Sequence, residues 1–216
     1  MYLPPIFQEQ DRGKLLALMQ AYPLATLIST DKKGIIQADV LPFWVSHQAK
    51  DVDEDKSLDG VRLLTHIARA NPLCEYIDGQ EVMVLFYGEN GYISPNYYPS
   101  KFVHHRHVPT WNYQVVQVRG RVQVFEDSKS LMALLGRLTN THEATQETPW
   151  HMKDAPREYL KEELTHIVGL TIEPIEMVGK FKLSQNRTPE DLQGVVNGLA
   201  QHHAPLAQAV KDAYKG

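Results

Sequence analysis

Short apolar runs and alternating apolar and polar positions dominate the chain, and they predict a strand-rich protein. Compact apolar runs bounded by turn residues are typical of strands. A clean alternation follows at 113–127, where every second residue is a valine over part of the run. The predicted strands are therefore 24–30, 35–46 with an interruption at Pro42, 61–68, 81–88 and 113–127.

Turn residues predict how some of these strands connect. The sequence DKKG at 31–34 predicts a β-hairpin between the first two strands. The sequence ENG at 89–91 predicts a second hairpin turn. Residues 166–184 predict two strands with a turn near Pro174. The charged segment 48–60 predicts a solvated hairpin tip, because it lacks the glycine and glutamate that a calcium loop needs.

Helical periodicity is confined to a few places. Asp11 can cap a helix that ends near Tyr22, and Ser128 can cap another. The segment 157–164 predicts a short helix. Near the carboxyl end, Thr188 followed by Pro189 is typical of a helix start. A last helix is predicted at 205–214.

Strands that mostly follow one another without intervening helices do not form a βαβ pattern. The pattern instead favours a mainly β (α+β) protein, an antiparallel barrel or sandwich with peripheral helices and a C-terminal helical pair. A length of 216 residues predicts a single domain over 1–216, with 185–216 as a C-terminal helical extension.

Composition and missing motifs argue against several classes of protein for this chain. A net charge of −4 argues against a broad basic face for nucleic acid. The single cysteine excludes an intrachain disulfide and fits a cytoplasmic protein. The N-terminal residues lack a secretory signal, and no run of 18 apolar residues predicts a membrane span. Glycine-rich phosphate loops, GxSxG and HExxH are also missing.

The segment 92–122 concentrates aromatic and polar side chains between prolines, which suits a flat, partly polar ligand. An aromatically anchored surface loop explains the same residues equally well. Within the segment, HHRH at 104–107 raises the possibility of a haem or metal ligand. In a strand, His105 and His107 would face the same way. A solvated polar loop is the alternative, and we predict no dedicated metal site.

Two further segments carry possible anion donors. The sequence THIARANP at 65–72 ends a predicted strand and presents His66, Arg69 and Asn71 at the turn. The sequence KFKLSQNR at 180–187 presents several donors after another strand. An ordinary strand exit and a basic turn before a capped helix are the alternatives.

Four motifs together identify a family resemblance. YISPNYY, VPTWNY, THIARANP and KLSQNR resemble those of the PaiB-type negative transcriptional regulators. That family is similar to the FMN-binding split-barrel flavoproteins, which include pyridoxamine phosphate oxidase. The resemblance runs from ATLIS at 25–29 to KLSQNR at 182–187. It implies an antiparallel split β-barrel that forms a homodimer with FMN at the subunit interface.

The resemblance also implies roles for individual residues. At the phosphate end it places Lys101 and the THIARAN residues His66, Arg69 and Asn71. Around the flavin ring or its neighbouring pocket it places Ser94, Tyr97, Tyr98, Thr110, Trp111 and Asn112. It implies that the site is closed by Lys182, Gln185 and Asn186, which in one arrangement come from the partner subunit. Backbone and apolar contacts to the ring would come from Thr26, Leu41 and Pro42.

Three functions are compatible with this resemblance. The first is an FMN-binding regulator that lowers transcription, with DNA or a regulatory protein as its partner. The two C-terminal helices supply no clear DNA-reading element, since core or dimer packing explains their apolar faces. The second is an FMN-dependent oxidoreductase acting on a small molecule, with the proton donor left open among Tyr98, His66 and the HHRH histidines. The third is haem binding through His104, His105 or His107.

Overall fold

A computed structural model describes residues 1–47, 58 and 60–214 of the chain. Within these residues it contains eight strands, which are β1 (Gln8–Glu9), β2 (Leu24–Thr30), β3 (Ile36–Pro42), β4 (Trp44–His47), β5 (Val61–Ala68), β6 (Glu81–Ile93), β7 (Thr110–Phe125) and β8 (Ile167–Lys182). The α-helices are α1 (Arg12–Ala21), α2 (Lys101–His104), α3 (Ser128–Glu143), α4 (Arg157–Leu164), α5 (Pro189–Ala200) and α6 (Ala204–Asp212). The predicted hairpin tip at 48–60 lies outside the described residues, apart from Leu58 and Gly60.

The strands form one sheet in the order β3-β2-β6-β7-β8-β5-β4, and β1 also pairs with β8. The β2–β3 hairpin runs antiparallel from Leu24 opposite Pro42 to Thr30 opposite Ile36. The pairs β2–β6, β4–β5 and β5–β8 are antiparallel as well. The predicted mainly β, antiparallel class with peripheral helices and a C-terminal helical pair is therefore confirmed.

Contacts divide the chain into two compact units. Unit 1 consists of residues 1–21, 87–116 and 178–216, and unit 2 consists of residues 22–86 and 117–177. Each of the strands β6, β7 and β8 contributes residues to both units. The single domain remains a prediction.

Unit 2 has an apolar core between the inward faces of its strands. Its fully buried side chains include Leu27, Leu63, Val84 and Phe86. The rings of Phe43 and Phe86 meet edge to face, with centroids 5.7 Å apart. Burial alternates along β5, so that every second residue from Val61 to Ile67 points into the core.

Unit 1 is built around the C-terminal helices. Leu192, Val195 and Leu199 of α5 are buried, as are Leu206 and Val210 of α6. Thr188 caps α5 by accepting a hydrogen bond from the Asp191 N–H at 3.3 Å, and Pro189 follows in the first turn. The predicted start of this helix is confirmed.

Two predicted turns are wrong, because β6 and β8 each continue as one strand. Gly91 lies inside β6, where a Cβ atom would come 2.8 Å from Leu206. That glycine therefore permits close packing and does not make a turn. Pro174 lies between the residues of β8 that pair with β5 and those that pair with β1, so its missing N–H removes no bond from either pairing.

One predicted helix cap is wrong, and the condition set for the HHRH run is not met. The cap of α3 is Asp127 and not Ser128, because the Asp127 carboxylate accepts the Ser130 N–H at 2.9 Å. The HHRH run is not a strand, because His104 ends the short helix α2 and His105 adopts a left-handed φ of 55°. The arrangement that a strand would give, with His105 and His107 on the same side, therefore does not apply.

Tyr97 lies against two glycines of α5, and this contact yields a stability prediction. A Cβ atom at Gly194 would come 2.0 Å from the Tyr97 carbonyl oxygen, whereas one at Gly136 of α3 would meet nothing within 4 Å. Gly194→Ala should therefore lower the free energy of unfolding by about 1–3 kcal/mol through overpacking. Gly136→Ala, the matched control, should raise it by about 1 kcal/mol through helix propensity. Urea unfolding followed by circular dichroism measures both, and equal effects would contradict the contact.

Candidate functional site

The two most specific motifs, VPTWNY and KLSQNR, meet within unit 1. The Lys182 ammonium donates a 2.6 Å hydrogen bond to Thr110 Oγ1 and a second bond to the carbonyl oxygen of Trp111. The Asn112 amide donates to Ser184 Oγ at 2.8 Å. Both members of this second pair are buried. Strands β7 and β8 thus deliver the two motifs to one place, joined by satisfied polar contacts.

The turn after β8 is stabilised by its own side chains. Ser184 adopts a left-handed φ of 66°, which is uncommon for a residue with a side chain. Gln185 accepts the Leu183 N–H at 2.7 Å and donates to the Phe181 carbonyl at 2.5 Å. Asn186 is exposed at the tip of this turn. Gln185 therefore shapes the turn, whereas Asn186 faces solvent.

An exposed aromatic pair lies at the same motif. Trp111 is 55% exposed, and its ring meets that of Tyr92 edge to face with centroids 6.3 Å apart. Large aromatic faces left open to solvent are where planar ligands stack. Trp111 thereby offers a ring surface next to the polar contacts of Lys182.

Two cations, Lys182 and Arg187, lie near this surface without a direct ion pair to a carboxylate. Burial lowers the pKa of Lys182, and the positive charges of Arg187 and Lys180 lower it further. Across the described residues, no carboxylate lies within ion-pair distance of Lys182 or Arg187. Half-buried cations that lack a carboxylate partner favour an anionic ligand.

The tyrosines of YISPNYY are largely engaged with the protein itself. Tyr98 is completely buried, with its ring 4.7 Å from that of His107 and the Arg187 guanidinium 4.5 Å from its ring centre. Tyr97 packs on α5 and its hydroxyl lies 3.3 Å from His202 Nε2. Their assignment to the flavin pocket remains a prediction.

Ser94 and Lys101 bracket the short turn that carries Tyr97. Ser94 caps a 3₁₀ turn by accepting the Asn96 N–H at 3.2 Å. The Lys101 ammonium donates to Asn96 Oδ1. The structure therefore brings these two predicted site residues to the same turn.

A polar chain with a defined direction connects four side chains of unit 1. Arg187 Nη1 lies 3.3 Å from His107 Nδ1, and His107 Nε2 lies 2.7 Å from Ser100 Oγ. Ser100 donates to Asp191 twice, from Oγ to Oδ2 at 2.6 Å and from its N–H to Oδ1 at 3.0 Å. Because arginine only donates, we assign the His107 proton to Nε2. The chain therefore runs Arg187 to His107 to Ser100 to Asp191.

This direction decides what the serine can do. In a nucleophilic triad the histidine accepts the serine proton and the aspartate holds the histidine. Here the Ser100 proton points to Asp191. The Ser, His and Asp side chains thus form a structural chain and not an activated nucleophile. Sequence reasoning missed it, and the only signal was that Asp191 falls three residues after a helix cap.

The THIARANP residues of unit 2 are occupied by neighbouring groups. Arg69 donates to the carbonyl oxygens of Thr165 and Ile167 and pairs with Glu126 at 3.0 Å. Asn71 accepts the Leu73 N–H and donates to Asp39. An anion at Arg69 would therefore compete with Glu126. The phosphate role of these residues remains a prediction.

His66 is the exception in that motif. Its Nδ1 atom is buried and has no hydrogen-bond partner among the described residues. Burial lowers the pKa of His66. An unpaired ring nitrogen of a mainly neutral imidazole can accept a proton or bind a ligand donor.

The remaining candidates lie on the β2–β3 hairpin of unit 2. Thr26 is opposite Val40, and Leu41 is opposite Ala25. The Pro42 carbonyl oxygen accepts a 2.7 Å hydrogen bond from Thr65. Thr26, Leu41 and Pro42 are all partly exposed, so contact with a ligand is possible for each. Their flavin contacts remain predictions.

The histidine run shows no metal geometry. The rings of His104 and His107 are 5.0 Å apart, and His104 Nδ1 accepts the Arg106 N–H. Among the residues that the structure describes, no group of three or more His, Cys, Asp or Glu side chains is arranged to hold a metal ion. Within the same residues, none of the helices is long and apolar enough to span a membrane.

An open aromatic face next to the half-buried ammonium of Lys182 defines a candidate site for a planar, anionic cofactor on a mainly antiparallel β protein. The family described as "Putative FMN-binding domain" matches residues 1–176 of the chain. The chain therefore belongs to this FMN-binding family, and FMN is its cofactor. The resemblance and the cofactor inferred from the motifs are confirmed.

Two relatives extend the comparison over almost the whole chain. Uncharacterized protein AN0679 of Emericella nidulans is 30% identical over 92% of this chain and 90% of its own length. Protease synthase and sporulation protein PAI 2 of Bacillus subtilis is 27% identical over 98% of this chain and 95% of its own length. The similarity to a PaiB protein is thus confirmed.

One solved structure supports the fold. The FAD and haem binding protein of Mycobacterium smegmatis matches with a TM-score of 0.58 and 16% identity, over 86% of this chain and 78% of that one. At this identity the likeness concerns the fold alone. It confirms the predicted split-barrel class.

The buried imidazole of His66 yields a pH prediction. As the pH falls through about 6.5, the unfolded chain binds a proton at His66 before the folded protein does. The free energy of unfolding should therefore decrease between about pH 7.5 and 5.5. His66→Gln should flatten this dependence, whereas His47→Gln, at an exposed position of β4, should leave it unchanged. Urea unfolding across this range is the measurement, and parallel curves for the wild type and His66→Gln would contradict the prediction.

Proposed function

We propose that the chain is a dimeric, FMN-binding regulatory protein of the PaiB kind, with the flavin held at the VPTWNY–KLSQNR surface of unit 1. The exposed Trp111 beside the Lys182–Thr110 contact is the observation that carries this proposal. An isoalloxazine ring needs an open, polarisable face, and the phosphate of FMN needs cations. When bound, FMN supplies redox chemistry or a redox-sensitive ligand state.

The residues of unit 1 fit FMN by their chemistry. Two of the three Lys182 protons are used by Thr110 and Trp111, which leaves one for a ligand oxygen. The Arg187 guanidinium has five N–H donors, of which one is directed at His107, and so it retains donors for a ligand. Lys182 and Arg187 would bind the anionic part, and Trp111 would orient the ring.

The regulatory role rests on the similarity to the Bacillus subtilis protein, which extends over nearly the full length of both chains. The apolar faces of α5 and α6 are buried within unit 1. Among the described residues these helices therefore offer no separate DNA-reading element. We propose that regulation acts through a ligand-dependent protein partner, with direct DNA contact as the less supported route.

The homodimer is supported by an apolar face on the β2–β3 hairpin. Ile36 is 73% exposed and Val40 is 63% exposed, and they alternate on the same side of β3. In the strand order of the described residues, β3 is a terminal strand. An apolar edge strand open to water favours association, and a second copy of the chain is the occupant that we propose. Thr26, a predicted flavin contact, lies directly opposite Val40.

A second function, an FMN-dependent oxidoreductase, is favoured by His66. Its unpaired Nδ1 is suited to proton transfer, whereas burial raises the pKa of Tyr98 and removes that phenol from consideration at neutral pH. Anaerobic mixing with NADH or NADPH separates the two functions. Rapid bleaching of bound flavin would favour the oxidoreductase, and unchanged flavin absorbance would favour the regulator.

Flavin binding at Trp111 can be tested directly. Trp111→Ala should weaken FMN binding by about tenfold, because the stacking face is lost. Trp150→Ala is the matched control, since Trp150 is also exposed but lies in unit 2 outside the motifs. Quenching of flavin fluorescence during titration measures both dissociation constants. Equal dissociation constants for the wild type and Trp111→Ala would show that the flavin does not bind at this surface.

The dimer can be tested separately. Val40→Lys places a charge on the proposed interface and should shift the protein towards a monomer in sedimentation-velocity experiments. Ile175→Lys, an exposed isoleucine of β8 outside the hairpin, should leave the sedimentation coefficient unchanged. A Val40→Lys variant that sediments as the wild type does would rule out this face.

A further inference from the structure

We infer that Asp191 is a positioning residue for flavin binding, because its carboxylate holds both ends of the exposed segment 101–106. This inference rests on the proposed FMN site. We refer to residues 101–106, which are the short helix α2 and the two residues after it, as the 101–106 loop, and to Ser100, His107, Arg187 and Asp191 as the clamp. Of the clamp, only Arg187 is also part of the proposed FMN site, and Ser100, His107 and Asp191 are not among the residues assigned to the cofactor.

The clamp closes the loop at its base. Ser100 precedes the loop and His107 follows it, and their side chains are 2.7 Å apart. Ser100 reaches Asp191 through both its N–H and its hydroxyl. His107 Nε2 also lies 3.6 Å from Asp191 Oδ2. One carboxylate on α5 therefore fixes the entry of the loop directly and its exit through Ser100.

Asp191 is an unusual acceptor because it is only 2% exposed. Burial alone would raise its pKa, but the two hydrogen bonds from Ser100, together with the positive charge of Arg187, outweigh that effect and lower it. The carboxylate therefore remains ionised at neutral pH. A buried charge of this kind requires its donors, so loss of the carboxylate or of a donor should open the clamp.

Apart from the clamp, the loop is held by local hydrogen bonds, which are those of its single helical turn and the bond from Lys101 to Asn96. Val103 is 83% exposed, and Phe102 is also exposed. The left-handed φ of His105 lets the chain turn back towards His107. With its apolar side chains in solvent, the loop depends on polar contacts at its base and not on core packing.

The loop is placed to affect the flavin. It begins with Lys101, a predicted phosphate contact, and His107 is followed three residues later by Thr110, which holds Lys182. The clamp also retains Arg187 through His107. Opening the clamp should therefore displace Lys101 and Arg187 together, although neither Asp191 nor Ser100 is assigned to the cofactor.

Limited proteolysis and FMN titration of the full-length protein test this inference together. Trypsin can cut after Lys101 and after Arg106, at the two ends of the loop. Asp191→Asn should increase the cutting rate at these two sites about tenfold and weaken FMN binding about tenfold. Glu190→Gln, at an exposed neighbouring position of α5, is the control that should change neither.

A second pair of variants keeps the test valid if Asp191→Asn does not fold. Ser100→Ala removes the hydroxyl that joins the two ends and should reproduce both effects. Ser100→Thr keeps a hydroxyl and should restore the wild-type cutting rate and FMN affinity. This rescue separates positioning from a general loss of packing, which both substitutions would cause alike.

The outcomes are distinct. Faster cutting with weaker FMN binding, rescued by threonine, supports the inference. Faster cutting with unchanged FMN affinity overturns it, since the clamp would then be purely structural. Unchanged cutting in both Asp191→Asn and Ser100→Ala also overturns it. Failure of the wild type itself to bind FMN would contradict the proposed function, and it would show in the titration of the wild type alone.

Discussion

The buried carboxylate of Asp191 is the constraint on which the candidate site in unit 1 depends. It occupies the first turn of α5, below the Thr188 cap, and receives two hydrogen bonds from Ser100. A buried carboxylate without hydrogen-bond donors would destabilise the fold by several kcal/mol. The residues around Asp191 therefore have to place their donors at this carboxylate. The arrangement of Ser100, His107 and Arg187 follows from that requirement.

Polar residues in a motif can serve structure as well as binding, and the two units illustrate the difference. Arg69 and Asn71 of THIARANP donate hydrogen bonds to other residues of the protein, which are Thr165, Ile167, Glu126 and Asp39. Lys182 and Arg187 of KLSQNR retain donors, and neither makes a direct ion pair with a carboxylate in the described part of the chain. Excess donor capacity, rather than the presence of a basic residue, distinguishes a candidate anion site from a structural contact.

Membership of the family shows that the cofactor is FMN, but the fold is compatible with both a regulatory function and redox chemistry. The same split-barrel scaffold occurs in proteins with different cofactors, as the FAD and haem binding protein of Mycobacterium smegmatis illustrates. The choice therefore depends on particular side chains. The half-buried imidazole of His66, with its unpaired Nδ1 atom, is the side chain suited to proton transfer, whereas the regulatory role that we propose rests on similarity to another protein and on no side chain of the site.

The sequence by itself determined the strand-rich class, the capped start of α5 and the family motifs, because these depend on local periodicity and local hydrogen bonds. It mispredicted the turns in β6 and β8, since Gly91 and Pro174 act there through packing and strand register, which involve distant residues. Only the tertiary structure joined Asn112 to Ser184 and Ser100 to Asp191, across 72 and 91 positions of the chain. Such contacts leave no periodic trace in the sequence, because each depends on a single pair of side chains that folding brings together.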